Sequence, residues 1–169
     1  MPPAATREDD TIRAMPSQIQ DWQADFAVFS PDGQLAAIAE AKKKPDVGPS
    51  WAAAWFRNYI AHQQSSAPPF VILATPEKVY LWKRPSDASS SEPTAITDAR
   101  RLFASYLPSS ATSASDLSSR AFEFLVGAWL DDLSHHLWQP SAPDEISALQ
   151  ETGLLQAIAD GRVVADIAA

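Results

Sequence analysis

The fold is decided by residues 25–42, DFAVFSPDGQLAAIAEAK, in which a turn separates two largely apolar segments. Pro31-Asp32-Gly33 is a strong turn signal, because proline presets one backbone dihedral, aspartate bonds its own backbone and glycine supplies a positive φ. The segments on either side are therefore predicted to pair as the antiparallel strands of a β-hairpin. Charged side chains at the open end of this hairpin, where a sheet is usually apolar, indicate a functional site.

The register of the hairpin is predicted to bring two carboxylates together. A four-residue loop, 31–34, sets Ser30 opposite Leu35, and the same register sets Asp25 opposite Glu40. Directly opposed residues of an antiparallel pair have Cβ atoms about 5 Å apart. The two acidic side chains are therefore expected to be neighbours.

A lysine completes this cluster, because Lys42 lies two residues after Glu40 and shares a face of the sheet with it and with Asp25. Two adjacent carboxylates repel each other unless a cation lies between them, and oxygen ligands on a rigid scaffold suit Mg²⁺ or Mn²⁺. A nearby lysine can orient or deprotonate an attacking water and stabilise charge that develops on phosphorus. The cluster predicts metal-assisted hydrolysis of a phosphodiester.

These residues resemble the PD-(D/E)xK nucleases, whose core carries Asp on one strand and Glu-x-Lys on the next. The resemblance covers about residues 15–84 and is strongest to the N-terminal nuclease domain of type I restriction enzymes and its small stand-alone relatives. It implies that Asp25, Glu40 and Lys42 are catalytic. It also implies that the metal is held by Asp25, Glu40 and the backbone carbonyl of Ala41.

The segment WAAAWFRNY, residues 51–59, is similar to the helix that follows the Glu-x-Lys strand in that family. Arg57 and Asn58 on this helix, with Lys43 before it, are the expected substrate-binding residues, because such groups bind phosphate. The alternative is a solvated helix face. The aromatic residues of the helix recur at helical spacing, which favours packing against the sheet over a base-stacking surface.

Two features of the family have no clear counterpart in this chain. The family often has Gln about one turn before a Tyr on that helix, where this chain has Ala54 and Trp55. The acidic residue that many members supply from an N-terminal helix has only three candidates, Glu8, Asp9 and Asp10. A surface hairpin whose charges are merely solvated is the alternative interpretation of the whole cluster.

The length of 169 residues suffices for one core. We expect an α/β fold with a restriction-endonuclease-like core, in which helices flank a mixed sheet of four to five strands. The core is assigned to residues 1–84, and an acidic helical extension packed on it is assigned to residues 85–169. The chain has no cysteine, no apolar run of membrane-spanning length and no start typical of a secretory signal, which favours a cytoplasmic protein.

Charge is distributed unevenly along the chain. Residues 1–84 hold nine Lys plus Arg and nine Asp plus Glu, whereas residues 85–169 hold four and twelve, which is the whole net charge of −8. Nucleic-acid binders are typically basic, so tight non-specific DNA binding is not expected. A local basic patch leaves DNA as the expected partner; it comprises Lys42–Lys44, Arg57, Lys83 and Arg84. The acidic half motivates the alternative function, a catalytically silent nuclease-fold module that binds a partner protein.

Periodicity predicts the remaining elements. Strands are expected at 70–75, 79–83 and 162–167, and helices at 50–64 with Ser50 as N-cap, 96–107, 116–138 and 143–159. The helix at 116–138 has two apolar stripes, so a homodimer is a reasonable hypothesis. It also has Asp131 with His135 and Asp132 with His136 at i, i+4 spacing, which suits either a metal or two surface pairs.

Overall fold

The computed structural model describes residues 24–62, 68–83, 90–140 and 143–165, and the acidic candidates at 8–10 lie outside these ranges. The described strands are β1 (Phe26–Phe29), β2 (Leu35–Ala41), β3 (Phe70–Ala74), β4 (Lys78–Lys83), β5 (Ala95–Asp98) and β6 (Arg162–Ala165). The described helices are α1 (Pro49–Ala61), α2 (Ala99–Phe103), α3 (Ser119–Ser134), α4 (Pro143–Glu151) and α5 (Leu154–Ile158).

The strands form one mixed sheet in the order β5-β4-β3-β2-β1-β6. β2 and β3 pair in parallel, and the other neighbouring pairs are antiparallel. The predicted α/β class with a mixed sheet and flanking helices is confirmed, but the expected four to five strands were too few. β5 and β6 both follow residue 84 and occupy the two edges of the sheet.

Helices cover both faces of the sheet. α1 packs on one face through its aromatic residues, and the other face carries α2, α3, α4 and α5. α3 approaches β1 closely at Gly127, where a Cβ atom would lie 2.8 Å from Phe26 Cε1. β3 is buried along its whole length, as its continuous apolar run predicted. Glu40 lies two residues after Ile38, whose side chain packs on the α1 face.

All four predicted helices differ in their bounds from the structure. α1 begins after Gly48 without a side-chain cap, because Pro49 suits the first helical position and replaces Ser50 as the start signal. Residues 96–98 belong to β5, since the edge of β4 offers backbone hydrogen bonds there; Asp98 then caps α2 by accepting from the Arg100 amide. Gly153 has φ of 86° and separates α4 from α5, which the periodicity had merged.

α3 is shorter than the predicted helix and buries one broad side. Ser118 caps its start, and the buried residues include Phe122, Trp129 and Leu130. Phe124 is 67% exposed and Leu137, which follows the end of the helix, is 65% exposed, but the other residues on the stripe of Leu137 are buried within the chain, namely Phe122, Val126, Leu130 and Leu133. The homodimer stays a hypothesis. None of the helices described here has the length and apolar character required to span a membrane.

Candidate active site

The β1–β2 hairpin turns as predicted but contains a β-bulge. Gly33 has φ of 84°, and its amide donates to the Ser30 carbonyl at 2.9 Å. The register pairs Phe29 with Leu35 across a bulge that follows Val28, so the predicted pairing of Ser30 with Leu35 was wrong. The loop is one residue longer than expected, and the bulge absorbs the extra residue.

Beyond the bulge the predicted register is confirmed, and it brings the two carboxylates together. Phe26 of β1 pairs with Ala39 of β2, so Asp25 and Glu40 occupy the next pair of opposed positions in the hairpin. The Ala41 amide donates to Asp25 Oδ2 at 2.8 Å, which fixes the orientation of this carboxylate. The two carboxyl groups are therefore neighbours at the open end of the hairpin. The third predicted catalytic residue joins them, because Lys42 Nζ lies 3.4 Å from Glu40 Oε2.

The electrostatics of Glu40 distinguish it from a surface acid. Burial, followed by the hydrogen bond and negative charge of Asp25, raises the pKa of Glu40 to about 8, and Lys42 opposes part of this shift. At neutral pH without a cation, Glu40 therefore retains its proton. Burial and then the charges of Glu40 and Asp25 also raise the pKa of the Tyr59 phenol, which keeps this group neutral.

A pocket of about 590 Å³ opens beside Glu40. The rest of its lining comes from α1 and the residue after it, namely Trp51, Ala54, Trp55, Asn58, Tyr59 and His62. The sequence predicts Asn58 as a site residue, whereas for the aromatic residues it favours packing against the sheet over a base-stacking surface. Trp51, Trp55 and Tyr59 recur at i, i+4 spacing, and residues at this spacing share one side of a helix. This spacing is the sequence feature that could have identified them as lining one pocket.

The other predicted substrate-binding residues lie outside this lining. Arg57 is exposed and donates to the Ser91 hydroxyl at 3.0 Å, and Lys43 is exposed before α1. Lys44 Nζ lies 5.3 Å from the centre of the Trp51 ring, which brings a cation to the rim of the pocket. The substrate-binding roles of Arg57, Asn58 and Lys43 stay predictions.

The donor set fits a magnesium-like cation. The described part of the chain has no cluster of three or more His, Cys, Asp or Glu side chains. Mg²⁺ commonly keeps several waters and needs only one or two protein carboxylates, which Asp25 and Glu40 supply. The N–H and C=O groups of one strand residue point toward the same neighbouring strand, so the Ala41 carbonyl is directed to the Asp25 side, where its amide is bound.

The histidine pairs at the end of α3 do not form a second metal cluster among the described residues. The helix ends at Ser134, and His136 has φ of 60°, so the helical spacing from Asp132 is lost. His136 Nε2 instead lies 3.4 Å from Asp160 Oδ1. Asp132 accepts from the Tyr106 hydroxyl at 2.7 Å. Of the two predicted surface pairs, the one between Asp131 and His135 is present, with Nδ1 3.5 Å from Oδ1, and the one between Asp132 and His136 is not formed.

Comparison of the chain with family models, with curated proteins and with solved structures gave no match. The fold and the site define an α/β protein in which a buried glutamate, a half-buried aspartate and a lysine lie together beside an open pocket. Membership of the PD-(D/E)xK nucleases and the restriction-type activity remain proposals that depend on the residues of the hairpin.

Proposed function

We propose that the protein is a metal-dependent phosphodiester hydrolase, a DNA endonuclease of the restriction type. One observation carries the proposal. Asp25 and Glu40 occupy opposed positions at the open end of the hairpin, the Ala41 amide holds Asp25 Oδ2 at 2.8 Å, and the Lys42 ammonium lies 3.4 Å from Glu40. This is the Asp and Glu-x-Lys arrangement that the resemblance to the PD-(D/E)xK nucleases implies.

The burial of Glu40 supports a functional role for this pair. A solvated surface hairpin would explain Lys42, whose side chain is 47% exposed, but not Glu40, which is 8% exposed. Burying a carboxyl group beside a second one is unfavourable for folding. Perturbed pKa values of this kind cluster at functional sites, although structural networks also produce them. An open pocket at Glu40 makes the acid reachable by a substrate.

Each residue has a distinct task in the proposed site. Asp25, oriented by the Ala41 amide, and Glu40 would bind a divalent cation, with the Ala41 carbonyl as a third ligand. A bound cation would activate water and neutralise charge on the phosphate. Lys42 would orient the attacking water or stabilise the charge that develops on phosphorus, because its half-exposed ammonium group lies beside Glu40. Arg57, Asn58 and Lys43 are the proposed contacts to the phosphate backbone.

The proposal is tested by incubating purified protein with linear, circular and single-stranded DNA in Mg²⁺ or Mn²⁺. Glu40→Gln and Lys42→Ala are expected to lose cleavage. Glu151→Gln and Arg120→Ala are the matched controls, because both side chains are exposed and lie on α4 and α3. If wild-type protein leaves all three DNA forms intact, hydrolysis by this chain alone is refuted.

A second function, a catalytically silent module that binds a partner protein through the acidic half, is favoured by a different observation. Phe124 and Leu137 are largely exposed in this half, and exposed apolar side chains suit protein contacts. Calorimetry separates the two functions, because a silent module need not bind Mg²⁺ at Asp25 and Glu40. A pull-down in which Phe124→Ser loses a partner that the wild type retains would support the module, whereas recovery of no specific partner would weaken it.

A further inference from the structure

The pocket beside Glu40 has a size and lining that the carboxyl pair alone does not require. Its volume of about 590 Å³ lies within the range of small-molecule sites. A cation and a phosphate need charged and polar donors, yet three of the seven lining residues are aromatic, namely Trp51, Trp55 and Tyr59. The pocket therefore has room and chemistry for a flat, partly apolar group next to the carboxylates.

The aromatic residues of α1 all pack against the sheet, and the ring centre of Trp55 lies 5.8 Å from that of Trp82, but Phe56 is outside the pocket lining. Phe56 stacks on Trp82 of β4 with ring centres 4.6 Å apart, which is packing against the sheet. Trp55 and Tyr59 stack on each other at 4.8 Å, both are only half-buried, and both line the pocket. Trp51 is also half-buried and extends this row by one helical turn. We call Trp51, Trp55 and Tyr59 the aromatic row.

Two polar residues of α1 and its C-terminal end also line the pocket. Asn58 presents an amide that both donates and accepts, and His62 follows it one turn later in the lining. His62 Nδ1 lies 2.6 Å from the backbone carbonyl oxygen of Asn58 and donates to it, so Nε2 is the ring nitrogen available to a ligand. A nucleobase matches this combination, because it has a π-face for stacking and an edge of donors and acceptors.

The charge of the chain favours an unpaired base over a duplex. Proteins that grip duplex DNA neutralise many phosphates with Lys and Arg, whereas this chain has 13 such residues against 21 acidic ones. Single-strand binders add base stacking on aromatic side chains, which strengthens binding by about five- to a hundred-fold per base. A base within a duplex is paired and stacked and cannot enter the pocket.

We propose that the pocket receives an unpaired base of single-stranded DNA, stacked against the aromatic row, with an adjoining phosphate at Asp25, Glu40 and Lys42. The position of the phosphate rests on the proposed hydrolase function. The inference deepens that function by naming the substrate class, which is DNA that is unpaired next to the cleaved bond. Lys44, held over Trp51, is placed to contact a neighbouring phosphate.

Binding of a labelled oligonucleotide to the full chain in EDTA tests this inference without cleavage. Fluorescence anisotropy compares a single strand, its duplex and a single strand of abasic sites. Ala54→Leu adds bulk to the pocket lining, and Ala61→Leu makes the same change at an exposed position of α1 outside that lining. We expect the single strand to bind at least about tenfold tighter than the other two ligands, and Ala54→Leu to weaken it about fivefold or more. Ala61→Leu should bind as the wild type does.

Trp51→Ala provides a second variant, with Phe124→Ala as its control because Phe124 is an exposed aromatic residue of α3. Near-ultraviolet circular dichroism and thermal melting establish that each variant is folded. Equal or tighter binding of the duplex or of the abasic strand, or unchanged binding by both Ala54→Leu and Trp51→Ala, would overturn the inference.

The outcomes for the pocket and for the hydrolase are distinguishable. Selective single-strand binding that Ala54→Leu weakens, without cleavage in Mg²⁺, supports the base pocket and removes the hydrolase. Cleavage of duplex DNA at the same rate by wild type and Ala54→Leu supports the hydrolase and removes the base pocket.

Discussion

The Glu40 carboxyl group is buried opposite Asp25 at the open end of the β1–β2 hairpin. Burial, followed by the hydrogen bond and negative charge of Asp25, raises the pKa of Glu40 to about 8. The pair is stable without a cation because Glu40 retains a proton between the two acids. A divalent cation would compete with that proton, because metal ligands must be deprotonated. Protonation, cation binding and the proposed chemistry are therefore coupled at one residue.

The first prediction concerns stability against pH in EDTA. The folded chain holds the Glu40 proton up to about pH 8, whereas an ordinary carboxyl group releases it near 4.5. The folded state therefore binds more protons in this window, and the free energy of unfolding falls as pH rises, by at most ~1.4 kcal/mol per pH unit from this group. This contribution is complete below pH 4.5 and lost above about pH 8.

Urea unfolding at several pH values checks this slope in wild type and in Glu40→Gln, whose side chain does not titrate. The difference in stability between the two should grow in favour of Glu40→Gln as pH rises from 5 to 8, a window set by the pKa of about 8. Glu151→Gln, at an exposed position, should follow the wild type. Parallel curves for wild type and Glu40→Gln would contradict the burial of a protonated Glu40.

The second prediction concerns cation binding. Below the pKa of about 8, each cation that binds must displace the Glu40 proton, so Mg²⁺ affinity should rise with pH by about tenfold per unit and then level off. Thermal melting at fixed Mg²⁺ should show a larger stabilisation at pH 8.5 than at pH 6.5. Asp25→Asn should lose this response, and Asp144→Asn, an exposed acid on α4, should keep it. A Mg²⁺ response that does not depend on pH would place the cation elsewhere.

The third prediction separates catalysis from stability at Lys42. Its side chain is 47% exposed, so Lys42→Ala should change the free energy of unfolding by less than ~1 kcal/mol. The same change should lower DNA cleavage by about a hundredfold or more, because Lys42 is the proposed proton-transfer or charge-stabilising group. Single-turnover cleavage and urea unfolding measure the two effects, with Arg120→Ala as control. Retained cleavage would assign Lys42 a surface role.

The fourth prediction concerns the packing that holds the hairpin. A Cβ atom at Gly127 would lie 2.8 Å from Phe26 Cε1, and Phe26 is buried at the start of β1, next to Asp25. Gly127→Ala should therefore cost about 1–3 kcal/mol through overpacking, despite the better helix propensity of alanine. Ala128→Ser, at an exposed neighbour on α3, should stay within about 0.5 kcal/mol. Equal stability of the two variants in urea would contradict this prediction, because it would show that α3 or the Phe26 ring shifts to accommodate the added Cβ atom.

Local chemistry made the hairpin and the cluster predictable. The Pro31-Asp32-Gly33 turn set the antiparallel pairing, and the two-residue period of a strand set Glu40 and Lys42 on one face. The bulge after Val28 escaped prediction because a longer loop and an extra residue on β2 compensate each other, which leaves the Asp25 end of the register unchanged.

The features that sequence reasoning missed depend on distant parts of the chain. β5 forms because the edge of β4 offers hydrogen bonds to residues 95–98, whose own sequence also suits a helix. The pocket exists because α1 is set over the sheet with its aromatic row only half-covered. Helical spacing in the sequence identifies aromatic residues that share one side of a helix. Whether these residues line an open pocket or are buried in the core depends on how closely the helix packs on the sheet.

Mn²⁺ titration of the protein at pH 8.5, followed by electron paramagnetic resonance with DNA cleavage scored in the same samples, tests the central claim most directly. We predict that wild-type protein binds Mn²⁺ and cleaves DNA in proportion to the bound ion, and that Glu40→Gln does neither. Mn²⁺ binding by Glu40→Gln equal to that of the wild type, or cleavage that persists in this variant, would contradict a catalytic cation held by Asp25 and Glu40.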